Sequence, residues 1–203
     1  MKITKASTAD IPAVIELLKI ILDEMELPFY LNNDADEVTK LFVETFKSPT
    51  YAEHADIIVA KNEHDEVAGV AYGYPGAHED ILDEEFQKHF DQVKLPAQPI
   101  YEDPEADADE WYLDSLVVNP KFQNMGIGTQ LLNALPEYAQ KRGLKKLGLL
   151  VDDLNPNAER LYGRLGFKND HEQVVSHHNY QHLKNQSNKK RDYPLDNLFL
   201  SIL

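Results

Sequence analysis

One segment limits the fold more than any other. Trp111–Val118 reads as a strand, Asn119 and Pro120 end it, and Gln123, Asn124, Met125, Gly126, Ile127, Gly128 and Thr129 lead into Leu131, Leu132, Leu135 and Tyr138 at helical spacing. A strand that passes through a glycine turn into a helix presents free backbone N–H groups and the positive end of a helix dipole. Glycine also lets an anion approach the backbone closely. The same pattern serves as an ordinary turn, so by itself it leaves a phosphate site open. Two specific readings fall away. No third glycine follows Gly128 at dinucleotide spacing, and no Lys-Ser or Lys-Thr pair follows as a nucleoside-triphosphate loop needs.

Around this segment the apolar periods alternate between strand and helix. Residues 2–6 read as a strand, and Ile11, Val14, Ile15, Leu18, Ile21, Leu22 and Met25 as a helix capped by Thr8 or Asp10. A second amphipathic run carries Val38, Leu41, Phe42 and Thr45, with Pro49 closing it. Residues 56–60 and 67–74 form an expected antiparallel hairpin, and residues 81–90 a helix. In the helix over residues 126–142, Pro136 predicts a kink or a restart, because the missing N–H and the ring clash cost about 3 kcal/mol in a straight helix. A buried strand over residues 146–152, a short helix over 156–165 and strands over 167–175 and 177–183 complete the set. The fold class is α/β with α+β character: a twisted mixed sheet of six to seven strands flanked by about four helices.

Composition narrows the chemistry. The 203 residues include no cysteine, which excludes disulfides, thiolate metal sites and a cysteine nucleophile. A formal net charge of -15 would repel a phosphate backbone, so no nucleic-acid partner is expected and a cationic one is favoured. No apolar run has the length of a secretory signal or a membrane span, so a cytoplasmic protein without a membrane partner is expected. His177, His178 and His182 lie spread along one strand rather than converging, so no metal is expected there. Trp111 reads as core or cleft wall.

The charge is uneven. Between Gly76 and Glu110, twelve acidic residues stand against Lys88 and Lys94, which is two-thirds of the imbalance. Residues 1–183 read as one domain with an acidic insertion at about 76–109, and residues 184–203 as a tail. That tail begins polar and basic, then places Leu195, Leu198, Phe199 and Ile202 at helical spacing, suited to docking on the domain or on a second copy. A homodimer is left open.

A second pattern lies downstream. Asn155 suits an N-cap, Pro156 the first helical turn and Gly166 the end of a helix whose inner face is Ala158, Leu161, Tyr162 and Leu165. Gln123-x-x-Gly126-x-Gly128 after a strand ending Leu116, Val117, Val118, followed by Asn155-x-x-Ala158-x-x-Leu161-Tyr162-x-x-x-Gly166-Phe167, resembles the two signature motifs of GNAT acetyltransferases. The close match covers residues 111–167; the element order agrees over residues 2–183, with the acidic insertion and the tail outside it.

The resemblance implies an acyl-coenzyme A-dependent N-acetyltransferase that carries acetyl from acetyl-coenzyme A directly to a primary amine. Backbone amides of Gln123, Asn124, Met125, Gly126, Ile127, Gly128 and Thr129 would then bind the pyrophosphate. Leu116, Val117 and Val118 would hold the pantetheine arm and thioester, in the splay between the strands at Trp111 and Lys146. Asn155 and Ala158 would border the arm, and Tyr162 would stand near the sulfur. Many relatives have Arg where Gln123 stands; Lys121 could supply that charge.

Chemistry agrees with these roles. A departing thiolate needs a proton, which a tyrosine O–H at the cofactor cleft can give. An alkylammonium of pKa about 10.4 must lose a proton before it attacks, so a base or a water chain is required. Asp114 and Glu110 are the candidates, Asp114 sharing a strand face with Leu116 while Ser115 takes the other. The expected acceptor is a cationic small-molecule amine recruited by the acidic insertion. The alternative is a non-catalytic acyl-coenzyme A-binding sensor or interaction module.

Overall fold

The computed structural model describes residues 1–24, 28–98, 103–175 and 178–186. Its strands are β1 (Lys2–Lys5), β2 (Asp56–Lys61), β3 (Val67–Pro75), β4 (Trp111–Val118), β5 (Lys146–Asp152), β6 (Lys168–Val175) and β7 (His178–Gln186). They form one sheet in the order β1-β2-β3-β4-β5-β7-β6. Every neighbouring pair is antiparallel except β4 and β5. The expected mixed α/β sheet is therefore present, with seven strands.

Both faces of the sheet are covered, which is why β2 and β3 are buried along their whole length. Helices α1 (Ile11–Glu24), α2 (Pro28–Leu31), α3 (Ala35–Phe46), α4 (Pro49–His54) and α5 (Glu79–Lys88) precede α6 (Ile127–Lys141) and α7 (Pro156–Arg164). Val14, Ile15 and Leu18 of α1 and Leu41, Phe42 and Phe46 of α3 pack with Val59, Val70, Tyr72 and Tyr112 on one face. Leu131, Leu132 and Leu135 of α6 and Leu161 and Tyr162 of α7 pack with Ile58, Ala71, Leu113 and Leu149 on the other. The period of 2 along each strand thus divides its residues between two cores.

Local chemistry explains the element ends, and corrects several expectations. Ser7 caps a short 3-10 turn ahead of α1, and its N–H and hydroxyl both donate to Asp10, at 2.8 and 2.7 Å. Pro49 does not simply close α3. Ser48 accepts from the Tyr51 N–H at 3.2 Å and Pro49 occupies the first turn of a further helix, where its missing N–H costs nothing. Helix α6 shows no restart at Pro136: burial of Leu131, Leu132, Leu135 and Ala139 on both sides holds it as one element. β7 continues to Gln186, three residues into the expected tail, because Lys146 and Gly148 supply a ladder to Gln186 and Lys184. Leu195, Leu198, Phe199, Ile202 and His177 lie outside the described residues.

One buried carboxylate ties the sheet to α6. Asp56 on β2 accepts from the Trp111 indole N–H at 3.1 Å and from Arg142, just past α6, at 3.1 Å and 3.0 Å. Asp56→Ala would leave the buried indole N–H without its acceptor and the Arg142 guanidinium without its carboxylate, held by the carbonyls of Glu53 and Ala55, at a cost of about 3 kcal/mol. For a chain of this size that is a fall in Tm of about 6–12 °C, readable by calorimetry. A change under 2 °C would reject this role.

Candidate active site

Strands β4 and β5 pair over only two positions, Trp111 with Leu147 and Tyr112 with Gly148. Beyond Tyr112, the edge of β4 that faces β5 has no ladder partner among the described residues, although both strands are interior to the sheet. Interior backbone groups seek partners, so this opened seam is where an extended ligand can complete the sheet. The expected splay between the Trp111 and Lys146 strands is therefore real.

At the far end of β4 the chain turns through Asn119, whose side chain accepts from the Lys121 N–H at 3.0 Å. Asn124 and Gly126 then take left-handed backbone angles, φ 63° and 70°. Gly126 is the N-cap of α6 and supplies no side-chain cap, so the first N–H groups of the helix are left for another acceptor. Thr129 in that first turn has a buried hydroxyl without a partner among the described residues. Gln123 is half-buried, while Lys121, Asn124 and Met125 are exposed at the rim.

Helix α7 packs with α6, β4 and β5 in the same apolar core. Asn155 caps that helix, accepting from the Ala158 N–H at 3.0 Å. Tyr162 is fully buried, edge-on to Phe167 with ring centroids 5.5 Å apart, and burial raises its hydroxyl well above the ordinary tyrosine value. That hydroxyl has no protein partner among the described residues. A buried orphan O–H beside an open seam fits a residue that donates to something bound there.

The opposite face of β4 carries a surprise. Tyr72 stands opposite Ser115 and Gly73 opposite Leu113, so Asp114 is the extra residue of a β-bulge. The bulge corrects the expected facing. Asp114 and Ser115 both line a cavity on the α1 and α3 side, while Leu116 turns into the α6 core. Ser115 donates to Asp114 at 2.6 Å.

This cavity, of about 320 Å³, is walled by eight aromatic rings and five carboxylates. Tyr72, Tyr74 and Tyr112 form a continuous aromatic wall, with centroids 5.7 and 5.6 Å apart. The carboxylates are Asp114, then Glu79, Asp83, Asp103 and Glu105 from the acidic insertion. Among the described residues no Lys, Arg or His lines it. Burial pushes the Asp114 carboxyl up to about 7 and that of Glu105 up to about 8, against the opposing pull of hydrogen bonds from Ser115 and Tyr112. Nearby charge adds to both shifts: Glu79 and Asp83 for Asp114, and Asp114 itself for Glu105.

Glu110 is not brought to this cavity. It is fully buried at the closed end of the seam, 2.7 Å from His182 Nε2 and 3.8 Å from Lys184. Lys184 also pairs with Asp107, and with Asp170 at 3.0 Å. Asp107, His171 and His182 each place a ligand atom within 4.8 Å of the others, but the Lys184 ammonium already balances that group. The insertion's charge is thus split: Asp107 and Glu110 meet cations, and Glu79, Asp83, Asp103 and Glu105 face the cavity.

In the sequence Asp114 reads as a candidate base, while Glu79, Asp83, Asp103 and Glu105 read only collectively, as the charge of an acidic insertion. A signal existed for the aromatic wall: Tyr72, Tyr74 and Tyr112 obey the two-residue strand period. Nothing in the spacing brings Glu105 to Asp114, since an irregular segment joins them.

Comparison with known proteins places these features. The model of the acetyltransferase (GNAT) family matches residues 18–167. A crystal structure described as an acetyltransferase is 36% identical, covers 92% of this chain and 100% of its own, and superposes with a TM-score of 0.81. An N-acetyltransferase from Staphylococcus aureus Mu50 is 25% identical, covers 91% of this chain and 100% of its own, and has a TM-score of 0.75. A [ribosomal protein bS18]-alanine N-acetyltransferase of Haemophilus ducreyi is 39% identical over 72 residues, 36% of this chain and 47% of that protein. The chain spans between a quarter and a half of the length of the curated relatives it matches. No helix among the described residues is long and apolar enough to cross a membrane.

The raised carboxyls make stability depend on pH. A carboxyl held above its unfolded value keeps its proton longer in the folded chain, so the contribution of these groups is fullest below about pH 4 and falls as pH rises toward 8. Glu79 and Asp83, also raised by burial, act in the same direction. The ligand-free protein should therefore show a Tm that declines from pH 5 to pH 8.5, with a shallower slope in an Asp114→Asn, Glu105→Gln variant. Equal slopes in the two proteins would exclude these groups as the cause.

Proposed function

The chain belongs to the acetyltransferase (GNAT) family, and on that premise we propose that it transfers acetyl from acetyl-coenzyme A to a primary amine held in the aromatic cavity. The observation that carries this reading is the open seam of β4, with the orphan Tyr162 hydroxyl on one side and the Asp114 cavity on the other. Acetyl-coenzyme A bound in the seam supplies a thioester, whose carbon–sulfur bond is replaced by a carbon–nitrogen bond with release of thiol.

The chain's own groups have separate tasks. N–H groups of Gln123, Asn124, Met125, Gly126, Ile127, Gly128 and Thr129, at the uncapped start of α6, hold the pyrophosphate. The free edge of Leu116, Val117 and Val118 hydrogen-bonds the pantetheine arm, bordered by Asn155 and Ala158 at the start of α7. Tyr162 gives a proton to the departing sulfur. Asp114 takes one from the amine, for which a carboxyl raised to near neutrality is well matched. Glu110, bonded to His182, supports the closed end of the seam instead of acting as base. The cavity suits a small cationic amine; a protein N-terminus is the competing acceptor, and the Haemophilus ducreyi relative is named for an alanine of a ribosomal protein.

Two substitutions test the assignment. Gly126→Asp places a carboxylate at the phosphate position, whereas Gly126→Ala brings the same backbone strain at φ 70° without the charge. Calorimetry should show coenzyme A binding lost in the first and weakened only several-fold in the second; equal affinity in folded Gly126→Asp protein would sink the site.

Tyr162→Phe should lower kcat by about 10- to 1,000-fold with little change in coenzyme A affinity. Unchanged kcat, with chemistry rate-limiting, would return Tyr162 to a packing role. Coenzyme A binding with no acetyl transfer to any amine by either protein would favour the sensor.

A further inference from the structure

The nitrogen that forms the new amide bond must be uncharged when it reacts, because an ammonium has no lone pair. One base suffices to prepare it, and Asp114 at the bulge occupies that place. The negative charge that Glu79, Asp83 and Glu105 can carry is therefore surplus to the chemistry, and no cationic residue lines the cavity among the described residues.

Structural duty does not account for that charge. Glu79 accepts from the backbone N–H of Glu105 at 2.8 Å and from that of Ala106 at 3.3 Å, and Glu105 accepts from Tyr112 at 2.8 Å. An amide oxygen could accept each of these bonds without bringing a charge into an aromatic enclosure, where an unpaired carboxylate is costly. Carboxylates kept in such a place match a cation that arrives with the ligand. The rings of Tyr74 and Tyr112, with centroids 5.6 Å apart, line the same cavity, and aromatic rings attract cations.

Resting on the acetyl-transfer reading, we propose that the acceptor is a dication: a small aliphatic compound with one amine that is deprotonated beside Asp114 and a second ammonium that stays charged, held by Glu79 and Glu105 against the Tyr74 and Tyr112 rings. Recruitment and reaction then use different nitrogens. The apolar wall from α1, including Leu18 and Ile21, takes the hydrocarbon between them.

The test compares straight-chain α,ω-diamines of two to eight carbons with monoamines of the same length. One readout is thiol release with acetyl-coenzyme A, and the other is calorimetric binding to the protein loaded with coenzyme A. At the best length the diamine should exceed its monoamine by at least about 30-fold in kcat/KM, in the range of a desolvated charge pair with cation–π support. Glu79→Gln and Glu105→Gln, which keep the hydrogen-bond acceptors, should each shrink that ratio at least about five-fold.

A ratio near one in the wild type overturns the dication while leaving acetyl transfer intact. A ratio unmoved in both variants, or a peptide N-terminus that outperforms every diamine, also overturns it. Preferential diamine binding without any thiol release would instead remove the acetyl-transfer reading and keep the cation site.

Discussion

The active region depends on a parallel pairing that lasts only two residues. β4 and β5 meet at Trp111–Leu147 and Tyr112–Gly148 and then part, so the centre of a seven-stranded sheet is left open along one seam. The closed end is anchored by chemistry as well as by the ladder. Glu110 lies so close to Gly148 that an added Cβ would sit 2.1 Å from its carboxyl carbon, and His182 and Lys184 approach that carboxyl from β7. Glycine at 148 is thus a space requirement. The buried network concentrates charge just where the strands must stay together, and removing one partner from such a network costs more than the network contributes.

A second irregularity gives the seam two different sides. The bulge at Asp114 breaks the two-residue alternation of β4, putting Asp114 and Ser115 toward the cavity while Leu116 and Val118 keep their place under α6. One strand therefore presents a polar pair to an aromatic chamber and a packed apolar edge to the core. Tyr162 approaches from α7 on the opposite face. The buried Tyr162 hydroxyl and the Asp114 carboxyl therefore lie on opposite faces of the sheet, the arrangement that the proposed proton transfers require.

The acidic insertion reads differently once folded. Some of its carboxylates join a charge-balanced cluster at the base of the seam, with Lys184 and His182, and others line the cavity, where no Lys, Arg or His stands among the described residues. Formal charge per residue is similar along the segment; the dielectric surroundings and the available partners are not. Desolvation raises Glu105 and Asp114, whereas a hydrogen bond from Lys184 lowers Asp107. The same residue type is held charged against a cation in one place and shifted toward its neutral form by burial in another.

Much of this was legible in the residues alone. Helical and strand periods located all seven strands and the longer helices, though not the short α2 and α4, since burial of one face is written into spacing, and the glycine turn and Asn155 cap marked the starts of α6 and α7 because special backbone angles and caps demand particular residues. What spacing cannot carry is the effect of a bulge, or of an irregular segment folding back. One extra residue at Asp114 reversed the faces expected for Ser115 and Leu116 relative to it, and residues 103–110 delivered Glu105 to the cavity but Glu110 to His182. Local sequence determined the scaffold and the glycine turn, which depend on contacts a few residues apart. Tertiary structure alone decided which carboxylates share a cavity, because that depends on contacts between distant segments for which the chain has no period.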